Sequence, residues 1–182
     1  MTGIRKAKTE DINYIEKIYN DILDMPNKTG WVKGVYPTKE TAQKALEDGE
    51  LFVMESDGQI AAAAKINKKQ EKEYALVNWQ FEAADNEVMV LHTLVVSPSV
   101  KGKGCGTQFV DFYENYAREN GCKVLRMDTN VNNSAARALY KKLGFIESGV
   151  VGCVFNGIDG INLVCMEKKQ GKQLVYLKIC LN

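Results

Sequence analysis

The chain has 182 residues, 45% of them hydrophobic and 26% charged, with 24 Lys and Arg against 23 Asp and Glu. That length buries one substantial core, so a single domain is expected over residues 1–168, followed by a tail at 169–182. The near-neutral balance removes any global electrostatic reason for nucleic acid or an acidic membrane as the main partner.

In chain order, Met1 to Lys6 lead into no apolar run. No stretch approaches ~18 apolar residues, so neither signal peptide nor membrane span is expected and a cytoplasmic location is. Thr9 is the expected N-cap of a first helix: Glu10 and Asp11 favour its positive end, Ile12, Ile15, Ile18, Tyr19 and Ile22 recur at helical spacing, and the helix should end before Pro26. "PNKTGWVKGVYP" predicts a loop, yet it carries Trp31, Val35 and Tyr36. Thr38 should cap a second helix through Ala42, Ala45 and Leu46 that Gly49 stops.

"ELFVMES" and "QIAAAAKI" flank Asp57-Gly58, a two-residue hairpin signal. Ala75, Val77, Trp79 and Phe81 alternate with Tyr74, Leu76, Asn78 and Gln80, predicting another strand, with "NKKQEKE" as a solvated hairpin end before it. "VMVLHTLVV", residues 88 to 96, reads as a central strand covered on both faces. Beyond it, Phe109, Val110, Tyr113 and Ala117 mark a helix that Gly121 ends, and "KVLRMDT" is a strand. Asn133 or Ser134 opens a further helix with Ala136, Leu139, Tyr140 and Leu143 inward. Two strands, "FIESGVVGCVF" and "INLVCMEKK", meet near Asn156-Gly157. The tail "GKQLVYLKICLN" reads as an added edge strand, a partner-binding strand that forms a homodimer, or a disordered end.

Five cysteines (Cys105, Cys122, Cys153, Cys165, Cys180) are widely spaced without a CxxC, and His92 is the only histidine. Reduced, packing thiols and no metal site are expected.

The chemistry concentrates after the central strand. Pro98 stops it, and Gly102, Gly104 and Gly106 precede a helix, leaving several amide N–H groups aimed at one region. Helix dipole and the ammonium groups of Lys101 and Lys103 add positive potential, so the favoured occupant is a phosphate or pyrophosphate. Tight packing alone also explains such glycines. A Walker A loop, GxxxxGK[ST], is absent, and the dinucleotide fingerprint would need glycine at Thr107. One face of the later helix presents Asn133, Ala136 and Tyr140.

Together, "LVVSPSVKGKGCG" and "NSAARALYKKLGF" resemble the acetyl-CoA and acceptor-helix motifs of the GNAT family of N-acetyltransferases. The resemblance implies an α/β (α+β) fold with a mixed, mostly antiparallel sheet, a splayed strand pair and flanking helices. It implies acetyl-CoA as cosubstrate, its pantetheine arm pairing with Leu94, Val95 and Val96, and its pyrophosphate on the turn formed by Lys101, Gly102, Lys103, Gly104, Cys105, Gly106 and Thr107. Lys101 stands where the family usually has Arg or Gln, which replaces a planar multi-donor group by a point charge. Asn133 and Ala136 match the positions beside the cofactor arm, and Tyr140 the tyrosine near its sulfur. Without the resemblance, Asn133 would serve as a plain N-cap and Tyr140 as a core aromatic.

An unperturbed phenol, pKa ~10, protonates a thiolate of conjugate pKa ~8.5 uphill by about 2 kcal/mol, so Tyr140 is either a hydrogen-bond donor or an acid of lowered pKa. Many family members place a glutamate base where this chain has Val90. His92, on the same strand face, is the expected base, directly or through water, with Glu82, Glu87 and Asp128 in reserve. Trp31, Tyr36 and Trp79 are expected on the acceptor side, for a small primary amine. The expected activity is acetyl transfer by direct attack through a tetrahedral intermediate. A non-catalytic acyl-CoA sensor and an unrelated ATP-binding protein are the other readings.

Overall fold

The structure is a computed structural model that describes residues 3–26 and 28–171. Strands β1 (Gly3–Lys6), β2 (Leu51–Ser56), β3 (Gln59–Asn67), β4 (Val88–Val96), β5 (Val124–Asn130), β6 (Ile146–Phe155) and β7 (Ile158–Lys169) alternate with helices α1 (Ile12–Leu23), α2 (Lys39–Glu47), α3 (Cys105–Glu119) and α4 (Ser134–Lys142). They form one seven-stranded sheet in the order β1-β2-β3-β4-β5-β7-β6. Among the described residues only the β4–β5 pair is parallel; the others are antiparallel, giving the mixed, mostly antiparallel sheet expected.

The faces follow from the alternation along each strand. Met89 and Leu91 of β4, with Leu125 and Met127 of β5, pack beneath Phe109, Val110 and Tyr113 of α3 and Tyr140 of α4. Val53, Ala63 and Val95 face the other way, under Ile12, Ile15 and Ile18 of α1 and Ala42 and Ala45 of α2. On that second side the β4–β7 half lacks a helix. It is covered by the segment between β3 and β4, where Tyr74 and Val77 pack on Val88, Val90, Val124, Leu163 and Cys165.

Three features position the site. The β4–β5 ladder runs only from Val88↔Val124 to Leu91↔Met127. Beyond that point β4 continues to Val96 on β3, and β5 to Asn130 on β7, so the sheet splits. The Tyr113 hydroxyl sits at the base of the split, 2.7 Å from Met89 O and 3.0 Å from Arg126 O, and ties the two strands below it. Above it, the register between β3 and β4 slips between Ala63 and Lys65, setting Thr93 and Leu94 opposite Ala64 alone. Thr93 has φ +51°, a conformation that a β-branched residue holds only when its surroundings enforce it.

Two expectations are corrected. Residues 74 to 81 form no strand: Lys72–Leu76 is a 3₁₀ turn, and the chain after it is irregular. β3 pairs directly with β4, leaving no sheet edge there, and the amides of Gln80 and Phe81 go instead to the buried carboxylate of Glu167, at 2.6 and 3.3 Å. Thr9 does not cap α1 but opens a short 3₁₀ turn, Thr9–Asp11. It is Asp11 that accepts the Lys8 amide at 2.7 Å and the Arg5 guanidinium at 2.7 Å. At the other end β7 reaches Lys169 and the Gln170 amide donates to Lys123 O at 2.9 Å; the segment expected to pair with another chain lies beyond, outside the described residues.

Candidate active site

The turn after β4 is built as expected, and its three glycines answer two different demands. Gly102 and Gly104 have φ of +81° and +78°, and Gly104 is the N-cap of α3. Those are left-handed conformations that other residues adopt at a cost. Gly106 instead makes a close approach: a Cβ there would lie 3.1 Å from Leu139 Cδ2 of α4, so its missing side chain lets α4 pack against the turn. Lys101 N and Lys103 N are used within the turn, bonding Pro98 O and Val100 O. The amides of Gly102, Gly104, Cys105, Gly106 and Thr107 find no main-chain acceptor among the described residues. They border a cavity of about 640 Å³ that runs along Leu94, Val96, Lys101, Asn133, Ala136 and Tyr140.

Asn133 caps α4, its Oδ1 accepting from Ala136 N at 3.3 Å, and lines the cavity as well, so the capping role and a place on the cavity wall coexist. Tyr140 is 7% exposed, lies edge-on to Phe145, and its hydroxyl makes no hydrogen bond among the described residues. Burial, and secondarily the charge of Asp128, pushes its phenol well above the ordinary range, so it is a neutral donor rather than an acid of lowered pKa.

Two smaller voids continue from the large one into the split. The first, about 130 Å³, shares Leu94, Val96, Asn133, Ala136 and Tyr140 with it and adds Trp31, Tyr36, Thr93 and Asp128. The second, about 250 Å³, shares Tyr36, Thr93, Asp128 and Phe155 with the first and reaches His92, Glu71, Lys65 and Tyr19. Asp128 is thus the acid common to both voids in the split. Burial pushes its carboxyl up to about 6, against a hydrogen bond from the Tyr74 hydroxyl at 2.8 Å that favours the ionised form.

His92 is where period two placed it, facing the second void. Its ring is already engaged: Nδ1 lies 3.1 Å from Glu71 Oε1 and Nε2 3.0 Å from Asn67 Oδ1. Asn67 Oδ1 also accepts from Lys69 N, and its Nδ2 donates to Glu50, so the amide is oriented as an acceptor toward the ring. Each ring nitrogen therefore already has a side-chain oxygen at hydrogen-bond distance, with which a substrate would have to compete. The contact with His92 also holds the Glu71 carboxyl below its usual range. Of the base expected at His92 and its reserves, Asp128 alone lines both voids of the split, and its carboxyl has a single hydrogen-bond partner among the described residues. Glu87 pairs with Lys123 at the surface, and Glu82 lines none of the three voids.

Of the aromatic residues expected on the acceptor side, Trp31 and Tyr36 line the first void. Tyr36 stands edge-on between Trp31, at 6.0 Å, and Phe155, at 5.4 Å, and its hydroxyl bonds Thr93 Oγ1. Trp79 is elsewhere. Its indole N–H donates to Tyr74 O at 2.9 Å, the Arg126 guanidinium lies 4.0 Å over its ring, and it borders none of the three voids. Cys105 is buried at the α3 N-terminus, and Lys103 lies outside the lining of the large cavity. Sequence reasoning missed Glu71, Thr93 and Phe155, and saw Tyr74 only as one face of a strand. The aromatic spacing around Tyr74 was the available signal, but alternation pointed it to the wrong element.

The model of the acetyltransferase (GNAT) family matches residues 15–145. An uncharacterized N-acetyltransferase of Methanocaldococcus jannaschii is 34% identical over 157 residues, 81% of this chain; the match spans 62% of that relative's length. Among solved structures, a GNAT-family acetyltransferase of Streptococcus agalactiae superimposes with a TM-score of 0.78 at 21% identity, covering 94% of this chain and 96% of that one. A Salmonella typhimurium protein solved with its cofactor acetyl-CoA superimposes with a TM-score of 0.68 at 19% identity, covering 95% and 96%.

Proposed function

This chain belongs to the acetyltransferase (GNAT) family, and from that premise we propose that it transfers the acetyl group of acetyl-CoA to a primary amine on a small molecule. One observation carries the reading: the amides after β4 and the buried acid Asp128 open on the same split, with the Tyr140 hydroxyl between them, and among the described residues neither those amides nor that hydroxyl has a hydrogen-bond partner.

The fit to the cosubstrate is chemical. The amides of Gly102 and of Gly104 to Thr107, with Lys101 beside them, suit a diphosphate, each charge-assisted bond contributing ~1.5–3 kcal/mol. The edge of β4 at Leu94, Val95 and Val96, freed by the split, suits an extended arm that pairs with strand backbone, with Asn133 and Ala136 facing it. Tyr140 then stands where sulfur would arrive. The second void is small and walled by Tyr19, Tyr36, Phe155 and Lys65, which supports a compact acceptor over a folded protein surface.

In the proposed reaction Asp128 faces the acceptor nitrogen. An ammonium of pKa ~10.4 is about 0.04% neutral at pH 7, and this fraction supplies the lone pair. As the new N–C bond forms, the carbonyl pair moves to oxygen and the nitrogen becomes a much stronger acid. Its proton passes to Asp128, whose carboxyl near 6 suits proton uptake at neutral pH. The C–S bond then breaks, and Tyr140 donates a hydrogen bond to the leaving thiolate. His92 braces Glu71 and Asn67 at the far wall.

Calorimetry with CoA, acetyl-CoA and ATP, followed by thiol release across a panel of amines, tests this. Binding of CoA but not ATP, with release on one amine class, is the expected result. ATP binding alone would overturn it. Tight acetyl-CoA binding with no release on any amine returns the non-catalytic sensor reading.

A further inference from the structure

We propose that Tyr74 is a positioning residue for the acceptor half of the site, orienting the Asp128 carboxylate through its hydroxyl so that one oxygen is held and the other is left for the substrate. The proposal rests on Asp128 being the base.

The geometry is specific. The Tyr74 hydroxyl donates to Asp128 Oδ2 at 2.8 Å, and no other hydrogen bond to this carboxyl forms among the described residues. Oδ1 is therefore the oxygen available to an amine in the void. A carboxylate that rotated freely about its last bond would present either oxygen, so a single firm donor selects one.

Tyr74 packs in the core over the β4–β7 half of the sheet and is held there by further contacts. It is 3% exposed, lies edge-on to Trp79 at 5.2 Å, and accepts the Trp79 indole N–H on its own carbonyl. Trp79 is covered by the Arg126 guanidinium, whose Nη1 and Nη2 reach Gln70 Oε1 and Phe81 O. Glu167, fully buried on β7, takes the amides of Gln80 and Phe81 and the Ser148 hydroxyl. Two buried charges on neighbouring strands thus fasten the segment that brings one phenol to one carboxylate. Burying charged groups is expensive unless they are bonded, so their use to anchor an irregular loop points to a demand on where that loop sits.

The groups facing Asp128 set the direction of the test. Tyr74, Glu71 and Glu73 face it from the β3–β4 segment, His92 from β4, Tyr36 from the loop before α2, Tyr140 from α4, Cys165 from β7 and Cys153 from β6. Of the groups that favour its ionised form, the Tyr74 hydroxyl acts most strongly, followed by His92. Tyr74→Phe keeps the ring and removes that donor, so the carboxyl must titrate at higher pH.

The experiment is a pair of titrations on wild type and Tyr74→Phe: the Asp128 carboxyl carbon by NMR in the free protein, and kcat/KM against pH with the amine found on the panel. Both are expected to move up by about half to one pH unit, a three- to tenfold loss of rate on the acid side, with acetyl-CoA affinity unchanged. A role in packing alone would lower thermal stability without moving either titration. An Asp128 carboxyl that titrates at the wild-type pH overturns the positioning role by itself. A carboxyl titration that moves while the rate profile stays overturns the assignment of Asp128 as base, and the proposal with it.

Discussion

The two halves of the split are built in opposite ways. The half around residues 94–107 and α4 is made from two short stretches of chain, and its polar groups are main-chain amides presented by turn geometry. The half around Asp128 is assembled from the loop before α2, the β3–β4 segment, β5 and the β6–β7 hairpin, and its polar groups are side chains. A backbone cup can bind a common anion whatever the rest of the molecule does. A side-chain pocket depends on every segment that supports it, and that is where chains sharing this architecture can differ in acceptor.

The largest effect that would sharpen this division is expected at Asp128. Asp128→Asn should lower kcat/KM by ~10²–10⁴ while calorimetry finds acetyl-CoA affinity unchanged. Because burial raises this carboxyl, the fold loses stability as pH climbs from the ordinary aspartate range through about 6, so the same variant should melt no lower than wild type at pH 8. Activity runs the opposite way in wild type: kcat/KM should fall as pH drops through about 6 and the base becomes protonated. A pH-independent rate across that range would remove Asp128 from the chemistry.

Next in size is Tyr140→Phe, at the border between the halves. Loss of the donor to the leaving thiolate should reduce kcat about ten- to a hundredfold with little change in acetyl-CoA affinity, if bond breaking limits the rate. Unchanged turnover would leave Tyr140 as a core aromatic.

Glu167→Gln is expected to act only on the acceptor half. The substitution keeps one oxygen, which can still accept from Gln80 N and the Ser148 hydroxyl, but turns an NH2 toward the Phe81 amide, a loss of ~1–3 kcal/mol that thermal melting would register as a few degrees. Binding of acetyl-CoA, measured below the melting range, should survive it; a parallel loss of that binding would show that the halves are not separable. Smallest is Lys101→Ala, which should weaken CoA binding about two- to fivefold at low salt and less at high salt, as expected of an exposed charge.

The same division separates what the amino-acid order makes legible from what it hides. The helical stripe of α3, the hairpin at Asp57-Gly58 and the glycine turn are local patterns whose partners lie within a few residues, so composition and spacing expose them. Residues 74 to 81 show the opposite. Their alternation is that of a strand, but the deciding contacts come from Glu167 and Arg126, on strands that follow in the chain, and those satisfy the amides that a ladder would have used. His92 was legible as a polar residue on the correct face of β4. That its nitrogens were already taken by Asn67 and Glu71 was not, because Asn67 ends the neighbouring strand β3 and Glu71 lies on the connection after it, and only the sheet register and packing bring them to the ring.

Sequence alone determined the helices, most of the strands, the glycine turn and the face of α4 that carries Tyr140, because each is set by backbone geometry and short-range periodicity. Tertiary structure alone decided which acid lies in the split: Asp128 acquires its shifted titration and its Tyr74 partner only when the strands part beyond Leu91 and Met127 and a distant segment closes over the opening. Desolvation and side-chain pairing are properties of an enclosed volume, and no stretch of chain encloses a volume by itself.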